Sequence, residues 1–183
     1  FHGYMPECGA PFLKEAIRGH YAVRGVELDA DEIFVSSGAG DDLGAILDLF
    51  SGVNTALVTE PAYPAYVDSN VIAGHRVVHL PSSRKNGFLP MPDGSIFADI
   101  VYICSPNNPT GAVLSAEEIV AIQSVALKHD LFGIADEIYA ELTYGRDHVS
   151  FAEGFEDRTL LINGFSKAFA MTGWRLGYAA GPK

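Results

Sequence analysis

Cysteine is scarce in this chain, with only Cys8 and Cys104 among 183 residues, which speaks against the disulfide framework of small secreted domains. Cys104 lies inside the apolar run "IVYICSP", where a buried thiol is the ordinary expectation. A reduced, cytoplasmic setting is therefore expected. Cations are scarce too. Twelve Lys and Arg stand against 23 Asp and Glu, a formal net charge of -11, whereas attraction to nucleic-acid phosphates or anionic lipid needs clustered positive charge. Neither nucleic acid nor a membrane is expected as a partner. No apolar run approaches the ~20 residues of a bilayer-crossing helix, and the opening "FHGYMPECG" has neither a basic leader nor a signal core. His2, His20, His75, His79, His129 and His148 lack metal-ligand spacing, so no metal is expected. The pair His75 and His79 falls in a strand-like run, as structural or exposed residues. Ser36, Ser37 and Ser166 lack the nucleophile-elbow context of a hydrolase. Internal repeats and low-complexity tracts are absent as well.

What is present suits one ordinary globular domain with a sizeable core: 48% hydrophobic and 19% charged residues. The abrupt start, and the end at "GPK" directly after a strand-like run, predict a piece of a longer protein. Helical spacing of Phe12, Leu13, Ile17 and Tyr21 predicts a helix in "PFLKEAIRGHYAVRG", closed by Gly25. "EIFVSS" then reads as a strand feeding "GAGDDLGAILDLF", where Leu43, Ile46, Leu47 and Phe50 line one helical face. The alternation continues with strand "TALVTE", turn and helix "AYPAYVDSNVIAG", strands "RVVHL" and "DIVYICSP", and helix "SAEEIVAIQSVALKHD". Ser115 and Glu118 form a capping box at the start of that helix. "LFGIAD" and "RTLLING" are continuous apolar runs of the kind found in strands covered on both faces. "LPSSRKNGFLPMPDGS" reads as a long loop within the domain. This pattern predicts an α/β fold, a three-layer sandwich around a mostly parallel mixed sheet.

In an open parallel sheet, ligands gather at the carboxyl ends of the strands, so the polar residues following each strand are the candidates for a site. After "EIFVSS" comes Gly38-Ala39-Gly40 at a helix start, which favours an anion such as phosphate or is simply a plain turn. After "TALVTE", Tyr63 offers a flat face for stacking a ring, or packs in the core. After "DIVYICS", Asn108 beside Pro109 can donate to a phenolate-like oxygen or a carboxylate, or make an Asx-turn. After "LFGIA" comes Asp136, a carboxylate that is costly to bury unless it meets a cation or several donors; Tyr139, three residues on, can reach the same ligand. After "RTLLING" come Ser166 and Lys167, with Arg175 further along. An ammonium in such apolar company is expected to lose hydration and release its proton near neutral pH, giving a nucleophilic amine. Arg175, which keeps its charge, suits a dianionic phosphate.

Together these residues resemble the site of fold-type I pyridoxal-phosphate enzymes, and "GFSKAFAMTGWRLG" resembles the lysine signature of class I/II aminotransferases. The resemblance covers the whole chain. It implies that residues 1–183 are the pyridoxal-phosphate-binding large domain, without its N-terminal arm or small domain. It implies Lys167 as the Schiff-base lysine, Asp136 as partner of the pyridinium nitrogen, and Tyr139 with Asn108 as donors to the ring's phenolic oxygen. Tyr63 would stack on the ring. Gly38, Ala39, Gly40, Ser166 and Arg175 would hold the phosphate, with Tyr4 reaching the phosphate of the neighbouring subunit, so a homodimer is implied. The activity implied is transamination between an amino acid and a 2-oxo acid.

Within that class, "FHGYMPECGAPFLKEAI", "DADEIFVSSGA" and "EPAYPAYVDSNVIAG" look most like LL-diaminopimelate aminotransferases, with 2-oxoglutarate as amino acceptor. Glu7 then matches a glutamate that enters the neighbour's site and reads the far ammonium of the substrate, and Asn108 would also touch substrate; without the resemblance Glu7 reads as a solvated carboxylate. The chain departs from that group at Gly40, where a lysine is usual, and Asp41 and Asp42 make the local field less welcoming to an anion. "ADEIYAELTYG" and "NGFSKAFAMTGWRLGYAAGPK" look more like aspartate or broad-range aminotransferases. A pyridoxal-phosphate-dependent β-lyase, and the effector domain of an aminotransferase-like transcription regulator, are the alternatives the same residues leave open.

Overall fold

Apolar side chains on both sides of a strand demand cover on both sides, and the chain supplies it. In the computed structural model, which describes residues 3–87 and 97–183, seven strands form one sheet in the order β1-β7-β6-β5-β4-β2-β3. They are β1 (Ile33–Ser36), β2 (Thr55–Glu60), β3 (Arg76–Pro81), β4 (Ile100–Cys104), β5 (Phe132–Asp136), β6 (Thr159–Gly164) and β7 (Gly177–Ala180). All neighbours pair in parallel except β7, which is antiparallel to both β1 and β6. The expected α/β fold with a mostly parallel mixed sheet is thus observed.

Alternation along the strands sorts the core into two layers. Leu57, Val101, Ile103, Ala135 and Leu161 face helices α1 (Pro11–Ala22) and α4 (Ala116–Lys128). Their neighbours Ala56, Val58, Ile100, Tyr102, Cys104, Ile134 and Ile162 face α2 (Ala39–Ala45) and α3 (Pro64–Ile72). Every residue of β4 is buried, as its uninterrupted apolar run requires. Cys104 is a buried thiol, pushed up to about 12 by desolvation first and by the Asp136 charge second.

Local rules place the helix ends. Pro11 opens α1, where its missing N–H costs nothing; Ile17 and Tyr21 turn inward. In α4 the capping box forms, with Glu118 N–H donating to Ser115 Oγ at 3.3 Å and Ser115 N–H donating to Glu118 Oε2 at 2.8 Å. The expected helix after β1 is shorter than its apolar face suggests. Gly40 and Gly44 weaken it, and from Ile46 to Leu49 it tightens into a 3-10 turn. Leu43, Ile46 and Leu47 are still buried, while Phe50 packs edge-on against Phe132 at 5.9 Å. The histidines of the β3 run divide as expected into structural and exposed. His75 is buried against Asn70, and His79 sits on the sheet edge with Nδ1 2.7 Å from Glu60. Of the expected long loop, residues 88–96 lie outside the described residues. Among the described residues no helix is long and apolar enough to cross a membrane.

Removing the α4 cap by Ser115→Ala orphans the Glu118 N–H, which Ser115 Oγ now accepts, while the N–H of residue 115 keeps its Glu118 acceptor. We expect a loss of about 1 kcal/mol in denaturant unfolding, with the slope against denaturant unchanged.

Candidate active site

The topology brings six segments to one edge of the sheet. Strands β1, β2, β4, β5 and β6 all end there, and β7, because it runs the other way, begins there. Arg175, two positions before β7, therefore joins the residues that follow the other strands. Between them lies a cavity of about 230 Å³ whose lining includes Ala39, Gly40, Tyr63, Asn108, Asp136, Tyr139, Ser166, Lys167 and Arg175. Roomier hollows exist, one of about 590 Å³ that shares Asn108 and Tyr139 with it, one of about 540 Å³ beside α1, and one of about 480 Å³ between Glu60 and Pro81. Size does not decide between them. Of these, the 230 Å³ cavity alone brings an amine, a guanidinium, a buried carboxylate and aromatic rings together.

Asp136 sits at the floor, 5% exposed. One carboxylate oxygen accepts from the Tyr66 hydroxyl at 2.7 Å and the other from the Ile138 N–H at 3.1 Å. Burial raises its pKa above the ordinary aspartate value; the two donors pull it down and neighbouring Glu137 pushes it up. Among the described residues no ion pair includes it. A cationic ligand atom at this place would offset the cost of the buried charge.

Around Asp136 the other groups take defined positions. Tyr63 is 38% exposed, not packed in the core, and meets Tyr66 edge-on at 5.7 Å. Tyr66 in turn stacks on Tyr102 at 5.1 Å. The local loop bond after β4 is made by Asn107, whose Nδ2 donates to Thr110 Oγ1 at 2.9 Å, while Asn108 lines the cavity. The phenol of Tyr139 is held neutral, its pKa raised by desolvation and then by Cys104 and Asp136. Such a group donates a hydrogen bond.

Lys167 follows β6 in a tight turn closed by Met171 N–H to Ser166 O at 3.1 Å and Ala170 N–H to Lys167 O at 3.3 Å. Its Nζ lies 5.8 Å from the centre of the Tyr139 ring, within cation–π reach. One expectation is corrected here: Lys167 is exposed, so this chain by itself does not desolvate the amine. Its apolar neighbours are spent elsewhere, Phe165 packing on Phe169 and Tyr178 rather than over the ammonium.

At the opposite end the Gly38 turn and Arg175 meet. Gly38 adopts φ 135, and a Cβ there would lie 2.8 Å from an Arg175 guanidinium nitrogen; only glycine satisfies both conditions. Arg175 itself holds a left-handed backbone, φ 52, and donates to Thr172 O at 3.2 Å. The aspartates that follow are occupied: Ser37 Oγ donates to Asp41 and Ser36 Oγ to Asp42, each at 2.7 Å. Asp42 is buried and pushed up to about 6, chiefly by desolvation. Neither aspartate lines the cavity, and the space around Gly40 is open. Tyr4 and Glu7 lie on the exposed segment before α1 and do not line the cavity.

Several residues escape sequence reasoning. Tyr66 stands in the quoted "PAYPAY" but its partner is 70 positions away. Gly177 opens β7 against the turn, a Cβ there falling 2.8 Å from Ala39 N and from Gly38 Cα, and opposite it a Cβ on Gly164 would sit 3.0 Å from Gly177 Cα. The signal for these was the glycine in "WRLGY", legible only once β6 and β7 are paired. Leu43, Ile138 and Thr172 complete the lining.

The implied cofactor can be tested against this set. A flat aromatic wall, a buried carboxylate without a cation, amide and phenol donors, an amine, and a guanidinium beside a glycine turn suit a planar molecule. That molecule carries a protonated ring nitrogen, a phenolic oxygen and a phosphate. Pyridoxal phosphate fits them.

A family model described as aminotransferase class I and II matches residues 1–183. The LL-diaminopimelate aminotransferase of Agathobacter rectalis is 38% identical over 199 residues, covering 100% of this chain and 49% of that protein. The protein of the same name from Phocaeicola vulgatus is 40% identical over 198 residues, 100% of this chain and 48% of its own length. Among solved structures, an aromatic aminotransferase from Pyrococcus horikoshii aligns with a TM-score of 0.92 at 34% identity, covering 98% of this chain and 51% of that one. Thermus thermophilus aspartate aminotransferase with maleate aligns with a TM-score of 0.90 at 33% identity, covering 98% and 49%. The chain thus spans about half the length of the relatives it matches.

Because burial favours the neutral acid, folding costs more as pH rises through the unfolded aspartate range, about 3.9, and no such cost exists in stronger acid. In the cofactor-free protein Asp136→Asn is expected to raise the thermal midpoint by roughly 2–4 °C at pH 7 and to leave it unchanged near pH 3. A lowered midpoint at pH 7 contradicts the assigned burial cost.

Proposed function

Because the chain belongs to the class I and II aminotransferases, we propose that the protein is a pyridoxal-phosphate-dependent transaminase. It moves an amino group from an amino acid, LL-diaminopimelate in first place, to 2-oxoglutarate. In this reading residues 1–183 are the cofactor-binding large domain. The observation that carries it is the buried, cation-free carboxylate of Asp136 sharing one cavity with the amine of Lys167. The names of the relatives support diaminopimelate as donor. Aspartate or a broader range of donors is the second reading, favoured by the likeness to the aspartate enzyme bound to maleate.

Bound pyridoxal phosphate supplies a ring that withdraws electrons from the substrate α-carbon. The residues do the rest. Asp136 holds a proton on the ring nitrogen, a cation replacing the one the buried carboxylate lacks. Lys167 Nζ would anchor the cofactor and, when free of it, would accept the proton of the substrate α-carbon and hand it to the cofactor's aldehyde-derived carbon. Tyr139 Oη and Asn108 Nδ2 would donate to the phenolic oxygen, and Tyr63 would offer its ring for stacking. Arg175, Ser166 and the Gly38-Ala39-Gly40 turn hold the phosphate. Tyr4 and Glu7, both exposed, reach into the site of a second copy, Tyr4 at the phosphate and Glu7 at the substrate's far ammonium, so the active form is a homodimer. A cytoplasmic location, inferred from the scarcity of cysteine, belongs to the same proposal.

Borohydride treatment of the full-length protein loaded with cofactor is expected to leave a cofactor-derived mass on the peptide containing Lys167, and none in Lys167→Ala. That variant should lose transamination by about 10³-fold or more. Donors offered with 2-oxoglutarate then separate the substrates. Glutamate formation from LL-diaminopimelate supports the first reading, preference for aspartate the second, and release of ammonia with no glutamate identifies a β-lyase.

A further inference from the structure

Successive residues at a strand end point to opposite faces of the sheet. Asp136 therefore faces the cavity, and Glu137 faces the layer under α1. Glu137 is only 3% exposed, yet it is surrounded by donors. Its Oε1 accepts from Ser150 Oγ at 2.7 Å and from Phe151 N–H at 3.1 Å. Its Oε2 accepts from the Tyr21 hydroxyl at 3.2 Å, and His148 Nε2 lies 3.5 Å from the same oxygen. Tyr21, on α1, is fully buried, and its oxygen accepts from Asn163 Nδ2 at 3.2 Å. Asn163 Oδ1 in turn accepts from the Gly164 N–H at 2.7 Å. A continuous chain of hydrogen bonds thus runs from the residue beside Asp136, through Tyr21, to the end of β6, three positions before Lys167.

Stability alone does not account for this arrangement. Buried ionic groups in a well-packed layer are often replaced by apolar residues at no cost, and the layer around Glu137 is apolar, with Val26, Ala152 and Leu161 fully buried. Glu137 moreover raises the cost of ionising Asp136 next to it. What the network does is join two neighbouring strand ends whose spacing otherwise rests on the ladder alone, whose last bond there runs from Glu137 N–H to Ile162 O at 2.9 Å.

We propose that Glu137 and Tyr21 are positioning residues, a buried clamp that fixes the end of β5 against the end of β6 and so sets Asp136 relative to Lys167. The proposal rests on the transaminase reading for its effect on turnover, but not for its effect on the strand ends. Tyr21→Phe removes one hydroxyl and no volume. In the full-length protein it is expected to lower kcat about tenfold to a hundredfold, with KM for the amino donor changed less than about twofold. In the cofactor-free protein, amide exchange at residues 136–139 and 163–167 should rise about tenfold while α4 keeps its protection. Glu137→Gln should raise exchange at the same residues, and the double variant should fall short of the sum of the two single effects, since the singles share the Tyr21–Glu137 bond. Wild-type exchange at both strand ends overturns the clamp, as does exchange that rises equally in α4. A fall in kcat matched by loss of global stability also overturns it. If Tyr21→Phe does not fold, Glu137→Gln decides by the same readouts. Should the wild-type protein trap no cofactor at Lys167, the transaminase reading fails by itself, and the exchange measurements still decide the clamp.

Discussion

A carboxylate taken out of water at the end of a parallel strand is the constraint from which the site follows. Asp136 can be buried there because β5 is flanked by β4 and β6 and covered by α2 and α3 on its side of the sheet. That cover removes solvent without supplying a cation. Two neutral donors, the Tyr66 hydroxyl and the Ile138 amide, orient the group but leave the charge expensive. Everything else around the cavity can be understood as completing what Asp136 begins. Aromatic rings form one wall, neutral donors stand midway, and a guanidinium waits at the far end.

The reversed strand makes the arrangement possible. With β7 antiparallel, the connection from β6 leaves and re-enters the sheet at the same edge, so Lys167 and Arg175 sit on one short crossing over the cavity. Had β7 run parallel, its approach would have required a crossover, and Arg175 would have begun the strand at the far edge. Continuity of chain therefore substitutes for a long-range fold contact in bringing amine and guanidinium together.

Much of this was legible in the sequence, and the exceptions share one physical cause. Runs such as "TALVTE" and "DIVYICSP" gave strands within a residue or two because continuous burial leaves an unmistakable pattern, and the capping box at Ser115 is a local contact. Residues directly after strand ends could be gathered into a site by topology alone. Tyr66, Glu137, Tyr21 and Gly177 could not, because what they touch lies far along the chain: 70 positions for Tyr66, 116 for Tyr21. The exposure of Lys167 was missed for a related reason. Apolar neighbours in sequence need not be neighbours in space, and Phe165 packs on Tyr178, away from the amine.

The paired glycines of β6 and β7 have a consequence for how such a site can diversify. Gly164, Gly177 and the 38–39 peptide press together main chain to main chain, next to Ala39 of the cavity lining. A partition made of main chain cannot be thickened, thinned or recharged by exchanging one amino acid for another. Changes in the lining then fall to side chains such as Asn108 and Tyr139, which are free of that main-chain contact.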